Sequence, residues 1–161
     1  MTAILYNAPA GVPGDVTRLD ETLVVPELLG EAFTAFGVPY KYNGSGKAIN
    51  IAAMDTAAAF KGIISRSVPS QSGNLTQGYN DAIPNVEATA GGVRRGYVNV
   101  LCKVGTPVKG GIVYMRVVAD SPKAIGDLEA TSDSTNSVAL SGVEWGVNGK
   151  DASNITELYI K

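Results

Sequence analysis

The feature of this sequence that most constrains its fold is a long run of alternating residues between positions 94 and 104. Small apolar side chains occupy every second position there: Val98, Val100, Cys102 and Val104. A period of two places alternate side chains on opposite faces of a β-strand. The alternation continues in residues 112–118, after a Gly-Gly pair. We therefore predict two long strands, each with one face turned towards a core.

Shorter segments of the same type follow one another along most of the chain. They are residues 22–25, 38–42, 48–53, 60–66, 127–130, 136–140, 143–147 and 155–160. Clusters of Gly, Asn, Asp, Ser and Pro separate them, with turn signals about every 8–12 residues, as in sandwiches and barrels. We predict an all-β fold, an antiparallel β-sandwich or barrel of jelly-roll-like type, with an extended N-terminal arm and at most one short helix.

Three segments interrupt the strand pattern. Residues 1–25 are rich in Pro and Gly and are predicted to form the arm, which leaves residues 26–161 as a single β domain. Within that domain, residues 67–92 are predicted to form a long turn-rich loop, a natural contact segment in a binding protein. Residues 26–37 carry apolar side chains at helical spacing, which predicts a helix, although a stretch broken by Pro and Gly into an extended form is the competing interpretation.

The amino-acid inventory narrows the chemistry that the chain can perform. It contains no His and one Cys, and therefore no imidazole base, no Ser-His or Cys-His pair, and too few ligands for the usual zinc and iron sites. We expect no enzymatic activity, no cofactor and no metal site. A single Cys also forms no internal disulfide, which fits folding in a reducing cytoplasm.

Charge and hydropathy favour a protein partner. The net charge is −2, and the one adjacent basic pair, Arg94 and Arg95, is too small a cluster to displace the counterions of nucleic acid. No stretch approaches the roughly 20 apolar residues of a membrane span, and the N-terminus lacks the basic and apolar regions of a signal peptide. We therefore expect neither nucleic acid nor membrane as a partner.

Carboxylates and aromatic residues are the remaining candidates for a site. One acidic group, beside Arg18, comprises Asp15, Asp20 and Glu21. It lacks the spacing of a calcium loop, so a solvated turn with a local Arg18–Asp pair is favoured. A second group comprises Asp120, Asp127, Glu129 and Asp133. It offers carboxylates for glycosidase chemistry, but turn capping is the favoured interpretation.

The other reactive or aromatic side chains have ordinary structural interpretations as well. Cys102 lies on an apolar strand face, where a buried, inert thiol is expected. The aromatic set leaves three roles open, namely a sugar platform, interface anchors and strand packing. It comprises Tyr40, Tyr42, Tyr79, Tyr97, Tyr114, Trp145 and Tyr159.

Several segments of the sequence together resemble the cement (decoration) proteins of tailed bacteriophage capsids. They are GVPGDVTRLDETLVVP at 11–26, FKGIISRSVPSQSG at 60–73, RRGYVNVLCKVGTPVKGGIVYMRVV at 94–118, and the strand-and-turn series at 126–161. The resemblance covers most of the chain. It implies a β-sandwich or barrel with an extended N-terminal arm, several copies bound outside a capsid shell at its symmetry axes, and no enzymatic activity.

The resemblance also implies partners and a location. The partners are the phage major capsid protein and further copies of the chain, with a homotrimer favoured over a homodimer. The expected location is the outer capsid surface of the virion, after synthesis in the bacterial host cytoplasm. Contacts with capsid or protomers are predicted at Val12, Pro13, Asp15, Arg18, Tyr79, Arg94 and Arg95. A β-sandwich carbohydrate-binding or adhesin-type module is the alternative, and a carboxylate hydrolase is a third possibility.

Overall fold

The computed structural model describes residues 11–66 and 86–161, which form nine strands and two 3-10 turns. The strands are β1 (Val16–Leu28), β2 (Pro39–Tyr42), β3 (Ala48–Asn50), β4 (Gly62–Ser65), β5 (Thr89–Val104), β6 (Ile112–Arg116), β7 (Leu128–Glu129), β8 (Ser137–Trp145) and β9 (Ile155–Ile160). The 3-10 turns are Ala57–Ala59 and Ser134–Asn136. This architecture confirms the predicted all-β class. In the described ranges no helix is long and apolar enough to cross a membrane.

The organising element is β5, whose 16 residues contain the alternating run from which the fold was predicted. Its apolar face is buried as expected, at Val98, Val100 and Cys102. Because β5 is so long, it takes several neighbours. β1 lies antiparallel along one edge, β4 and β9 share the other edge, and β7 pairs in parallel with the C-terminal end.

Five strands form a closed barrel. The pairings run β5–β7–β6–β8–β9 and return from β9 to β5, so this ring has no free edge. Closure satisfies the backbone hydrogen bonds that an edge strand would expose. The buried side chains inside the ring form the larger core, which includes Val98, Val113, Met115, Leu128, Val143, Trp145 and Leu158. Of the two predicted architectures, sandwich and barrel, these strand pairings form the barrel.

A second group of strands extends from the other half of β5. It runs in the order β3–β2–β4–β5–β1, and an isolated bridge joins Leu29 to Ala48 so that its two ends meet. Its own small core contains Leu29, Phe33, Tyr40, Ala48, Ile64 and Ala90. The strands predicted at residues 38–42 and 48–53 pair as a hairpin in this group, since Tyr42 pairs with Ala48 across the turn.

The helix predicted for residues 26–37 is wrong, and the extended interpretation is the one that the structure supports. Residues 26–28 continue β1 in register with β5, and residues 30–37 form bends. Leu29 and Phe33 are buried in the small core from this irregular backbone. Tertiary pairing with β5 outweighs the local helical spacing here. Pro26 fits because a sheet tolerates proline on an edge strand such as β1.

Some strand and segment boundaries in the structure differ from the predicted ones. Residues 136–140 and 143–147 were predicted as two strands, but β8 runs unbroken from Ser137 to Trp145. Residues 89–92 belong to β5, and residues 67–85 of the predicted loop lie outside the described ranges. The predicted arm is described from residue 11, and its residues 16–25 form part of β1.

Candidate functional site

The predicted contact residues nearest the N-terminus are held against β5. Gly14 and Asn99 are joined by a backbone hydrogen bond of 2.8 Å, and the Asn99 amide donates to the Asp15 carbonyl at 2.9 Å. The Asp15 carboxylate accepts from the Val12 amide at 3.1 Å, which closes a local turn. Val12, Pro13 and Asp15 are therefore half-buried in a turn that is fixed to the body of the protein.

The remaining predicted contact residues fall into two places. Arg18 of β1 pairs with Tyr97, two positions beyond Arg95 on β5, so that Arg18 and Arg95 lie in one region. Arg94 binds the Glu27 carboxylate, in a separate cluster. Tyr79 lies outside the described ranges. The structure thus brings Arg18 and Arg95 together and places Arg94 elsewhere.

Arg18 is the centre of the first cluster. Its guanidinium donates to the Glu157 carboxylate at 2.9 Å, and this hydrogen bond raises the pKa of Arg18. The Thr17 hydroxyl donates to the same carboxylate at 2.5 Å. The guanidinium also lies 3.9 Å from the centre of the Tyr97 ring, which stacks on Tyr159 at 4.4 Å. The predicted pair between Arg18 and a neighbouring Asp does not form, because β9 supplies Glu157 instead.

A shallow groove opens beside this cluster. Its volume is about 660 Å³, and its lining comprises Asp20, Glu21, Thr22, Leu23, Arg95 and Tyr159. One wall is therefore acidic and comes from β1, whereas Arg95 and Tyr159 form the facing wall from β5 and β9. The groove thus combines both charges with an aromatic ring.

The second cluster is built around Glu27, which sequence reasoning missed. One Glu27 oxygen accepts from the Tyr42 hydroxyl at 2.6 Å, from the Tyr40 hydroxyl at 3.0 Å and from Arg94 at 3.1 Å. Burial is the largest cause of the raised pKa of Tyr40. A sequence signal existed, because Tyr40 and Tyr42 are two residues apart on a strand and so share a face. The cluster fixes Arg94 against the sheet.

A third cluster lies at the barrel and was also missed. Arg116 on β6 and Glu129 on β7 form a bidentate ion pair, with nitrogen–oxygen distances of 2.6 and 3.2 Å. Neither side chain has any exposed surface. Arg116 also binds Asp133, to which Lys123 donates at 3.0 Å. The Arg116 hydrogen bond, followed by that of Lys123, lowers the pKa of Asp133 below its ordinary value of 3.8.

These contacts define the roles of three members of the second acidic group. Asp127 accepts from the Ala124 amide at 2.8 Å, which confirms turn capping at that position. Glu129 and Asp133 instead neutralise Arg116, and the Glu129 carboxylate has no surface that a substrate could reach. In the part of the chain that the structure describes, no group of three or more Cys, Asp or Glu residues is arranged to hold a metal ion.

Cys102 is buried, as its position on the apolar face predicted. Burial is the main cause that raises the pKa of the thiol. We expect slow modification of the native protein by a thiol-specific reagent at pH 8 and fast modification in denaturant, because the reactive thiolate is disfavoured and inaccessible. Absorbance of the released thiol product measures both rates. Equal rates in the native and denatured protein would contradict the burial of Cys102.

The whole chain is similar to a family of capsid proteins. A family model described as XM1 gp53 minor capsid protein matches residues 1–160. Among solved structures, a chain of the capsid of Myoviridae phage XM1 shares the fold, with a TM-score of 0.72. The two chains are 19% identical, over 99% of this chain and 95% of that one. No curated protein matches the chain in sequence.

Proposed function

Because the chain belongs to the XM1 gp53 minor capsid protein family, we propose that it is a cement protein on the outer surface of a phage shell. Membership of this family makes the chain a phage capsid structural protein located in the virion. The finer role is to bridge neighbouring major capsid subunits and so stabilise the shell. The family match over residues 1–160 is the observation that carries the proposal.

Surface features of the described residues support a role in protein binding. Exposed apolar side chains are concentrated on β1, at Leu19, Leu23, Val24 and Leu28. Soluble proteins seldom expose several large apolar residues on one strand without a partner. β1 is also an edge strand, because among the described residues it pairs with one strand, β5, along one side. The strand is thus suited to contact another protein along its exposed side.

The proposed role requires no catalysis, and the side-chain inventory is consistent with that. The chain has no His, and the carboxylates of Glu129 and Asp133 are both engaged by Arg116. Copies joined as a homotrimer would gain further affinity, because the second and third shell contacts become effectively intramolecular. We therefore include a trimer and the absence of enzymatic activity in the proposal.

Binding to shells that lack the protein tests the proposal. Capsids assembled from the major capsid subunit are mixed with the purified chain and imaged by electron cryomicroscopy, and their thermal disruption is followed by light scattering. We expect ordered density across the seams between subunits and disruption at a higher temperature. Bare shells after mixing, or density confined to the inner surface, would reject the cement role.

The carbohydrate-binding alternative receives less support. The Tyr97 ring lies between the Tyr159 ring on one face and the Arg18 guanidinium on the other. Sugar recognition by an aromatic side chain uses an open ring face, and Tyr97 offers none. A glycan array would test the other aromatic residues, and specific binding there would restore the alternative.

A further inference from the structure

β1 bulges away from β5 near its N-terminal end. The pairing steps from Arg18 with Tyr97 to Leu23 with Arg95, so β1 advances five residues while β5 advances two. We call residues 19–22 the β1 bulge. Extra residues of this kind redirect side chains and end regular pairing, and they are common next to functional sites.

The β1 bulge is fastened to β5 at its C-terminal end. The Thr22 hydroxyl donates to the Arg18 carbonyl at 2.6 Å and accepts from the Tyr97 amide at 3.1 Å. Thr22 thus links the two ends of the bulge and also binds the bulge to β5. Gly96 allows this close approach, because a Cβ there would lie 2.7 Å from the Glu21 carbonyl.

The N-terminal end of the β1 bulge is equally well held. Arg18 is joined to Glu157 by an ion pair and lies against the Tyr97 ring. Thr17 adds a third contact through the same carboxylate. Because both ends are fixed, the bulge loses little conformational entropy when a partner binds, and preorganisation of this kind favours affinity.

Residues 19–21 present exposed side chains from this fixed backbone. Leu19 is 80% exposed. Asp20 and Glu21 follow it directly and are exposed, and neither forms an ion pair with another described residue. Because the Leu19 side chain is exposed to solvent, it contributes little to the stability of the fold. Its position beside two exposed carboxylates is complementary to a partner with an apolar pocket and a basic rim.

We propose that the β1 bulge is the shell-docking element of this protein. Leu19 enters an apolar socket on the capsid subunit, and Asp20 and Glu21 meet Lys or Arg side chains at the rim of that socket. The groove next to the bulge receives the adjoining segment of the same subunit. This inference rests on the proposed function, because the partner is a subunit of the shell.

Equilibrium binding of purified variants to shells that lack the protein tests the inference. Leu19→Ser is compared with Val108→Ser, which removes an apolar side chain that is 62% exposed in the connection after β5. Asp20→Asn is compared with Asp120→Asn, since both remove one exposed negative charge. Sedimentation of shells with bound protein gives the Kd at several salt concentrations, and circular dichroism checks that each variant is folded.

We expect Leu19→Ser to raise Kd at least tenfold and Val108→Ser to leave it within twofold, as for a central apolar anchor. Asp20→Asn is expected to raise Kd severalfold at low salt and to flatten its salt dependence, unlike Asp120→Asn. Wild-type binding with equal Kd for both serine variants would overturn the inference and leave the cement role intact. Failure of the wild type to bind would remove the proposed function itself.

A second copy of this chain is the competing partner for the bulge. If Leu19→Ser changes the oligomeric state in analytical ultracentrifugation and leaves the Kd for shells unchanged, the bulge joins protomers and the inference is overturned. An unchanged oligomeric state together with weaker shell binding supports docking to the capsid subunit.

Discussion

Arg116→Met is expected to lower the free energy of unfolding by about 3–5 kcal/mol. Methionine fills part of the space of the arginine stem but leaves the Glu129 carboxylate buried without its cation. Neither side chain of the native pair has any exposed surface, so water cannot solvate the remaining charge. An unpaired buried charge costs far more than a buried ion pair contributes. Chemical denaturation followed by fluorescence of the buried Trp145 measures the loss.

Two further variants separate buried charge from lost packing at Arg116. Arg116→Met/Glu129→Met removes both charges and is expected to recover most of the stability, because a hydrophobic replacement of a buried pair is often neutral. Lys123→Met removes the partly exposed partner of Asp133 and is expected to cost less than about 1 kcal/mol. A double variant as unstable as Arg116→Met would show that the loss comes from packing.

Local patterns predicted the strands well, because burial of one strand face leaves a direct record in the sequence. The alternation around Val100 predicted β5, and the strand-like segments at 38–42 and 48–53 predicted β2 and β3. The same pattern gives no account of Arg116. The alternation places Arg116 on the same strand face as Ile112, yet Ile112 is exposed and Arg116 is fully buried. Its partner Glu129 lies on another strand, and no local pattern reports that pairing.

Long-range pairings were likewise beyond the sequence pattern. Closure of the barrel depends on β5 meeting both β7 and β9, and the strand lengths do not specify these neighbours. The β1 bulge is the corresponding case at the candidate site. One signal was present, since an isolated Gly inside a strand often marks a bulge or a close backbone approach. Gly96, in the middle of β5, is such a residue.

Gly96→Ala is expected to lower the free energy of unfolding by about 2–4 kcal/mol, through two separable costs. The backbone at Gly96 has φ = +103°, a conformation that an alanine adopts with strain. The new Cβ would also lie 2.5 Å from the Thr22 Cα and 2.7 Å from the Glu21 carbonyl oxygen. Both of those atoms are backbone, so the β1 bulge must move. Denaturation of the two proteins by urea measures the difference.

Gly110→Ala is the matched control for the backbone conformation at Gly96. Gly110 also has a positive φ, +76°, but a Cβ there meets no atom within 4 Å. The control should therefore cost about 1–2 kcal/mol, the strain alone. The additional loss of stability in Gly96→Ala then measures the cost of the steric contact between the bulge and β5. Since displacement of the bulge moves Leu19 and both carboxylates, folded Gly96→Ala should also bind shells more weakly than folded Gly110→Ala. Equal binding by these two proteins would mean that the seating of the bulge matters for folding alone.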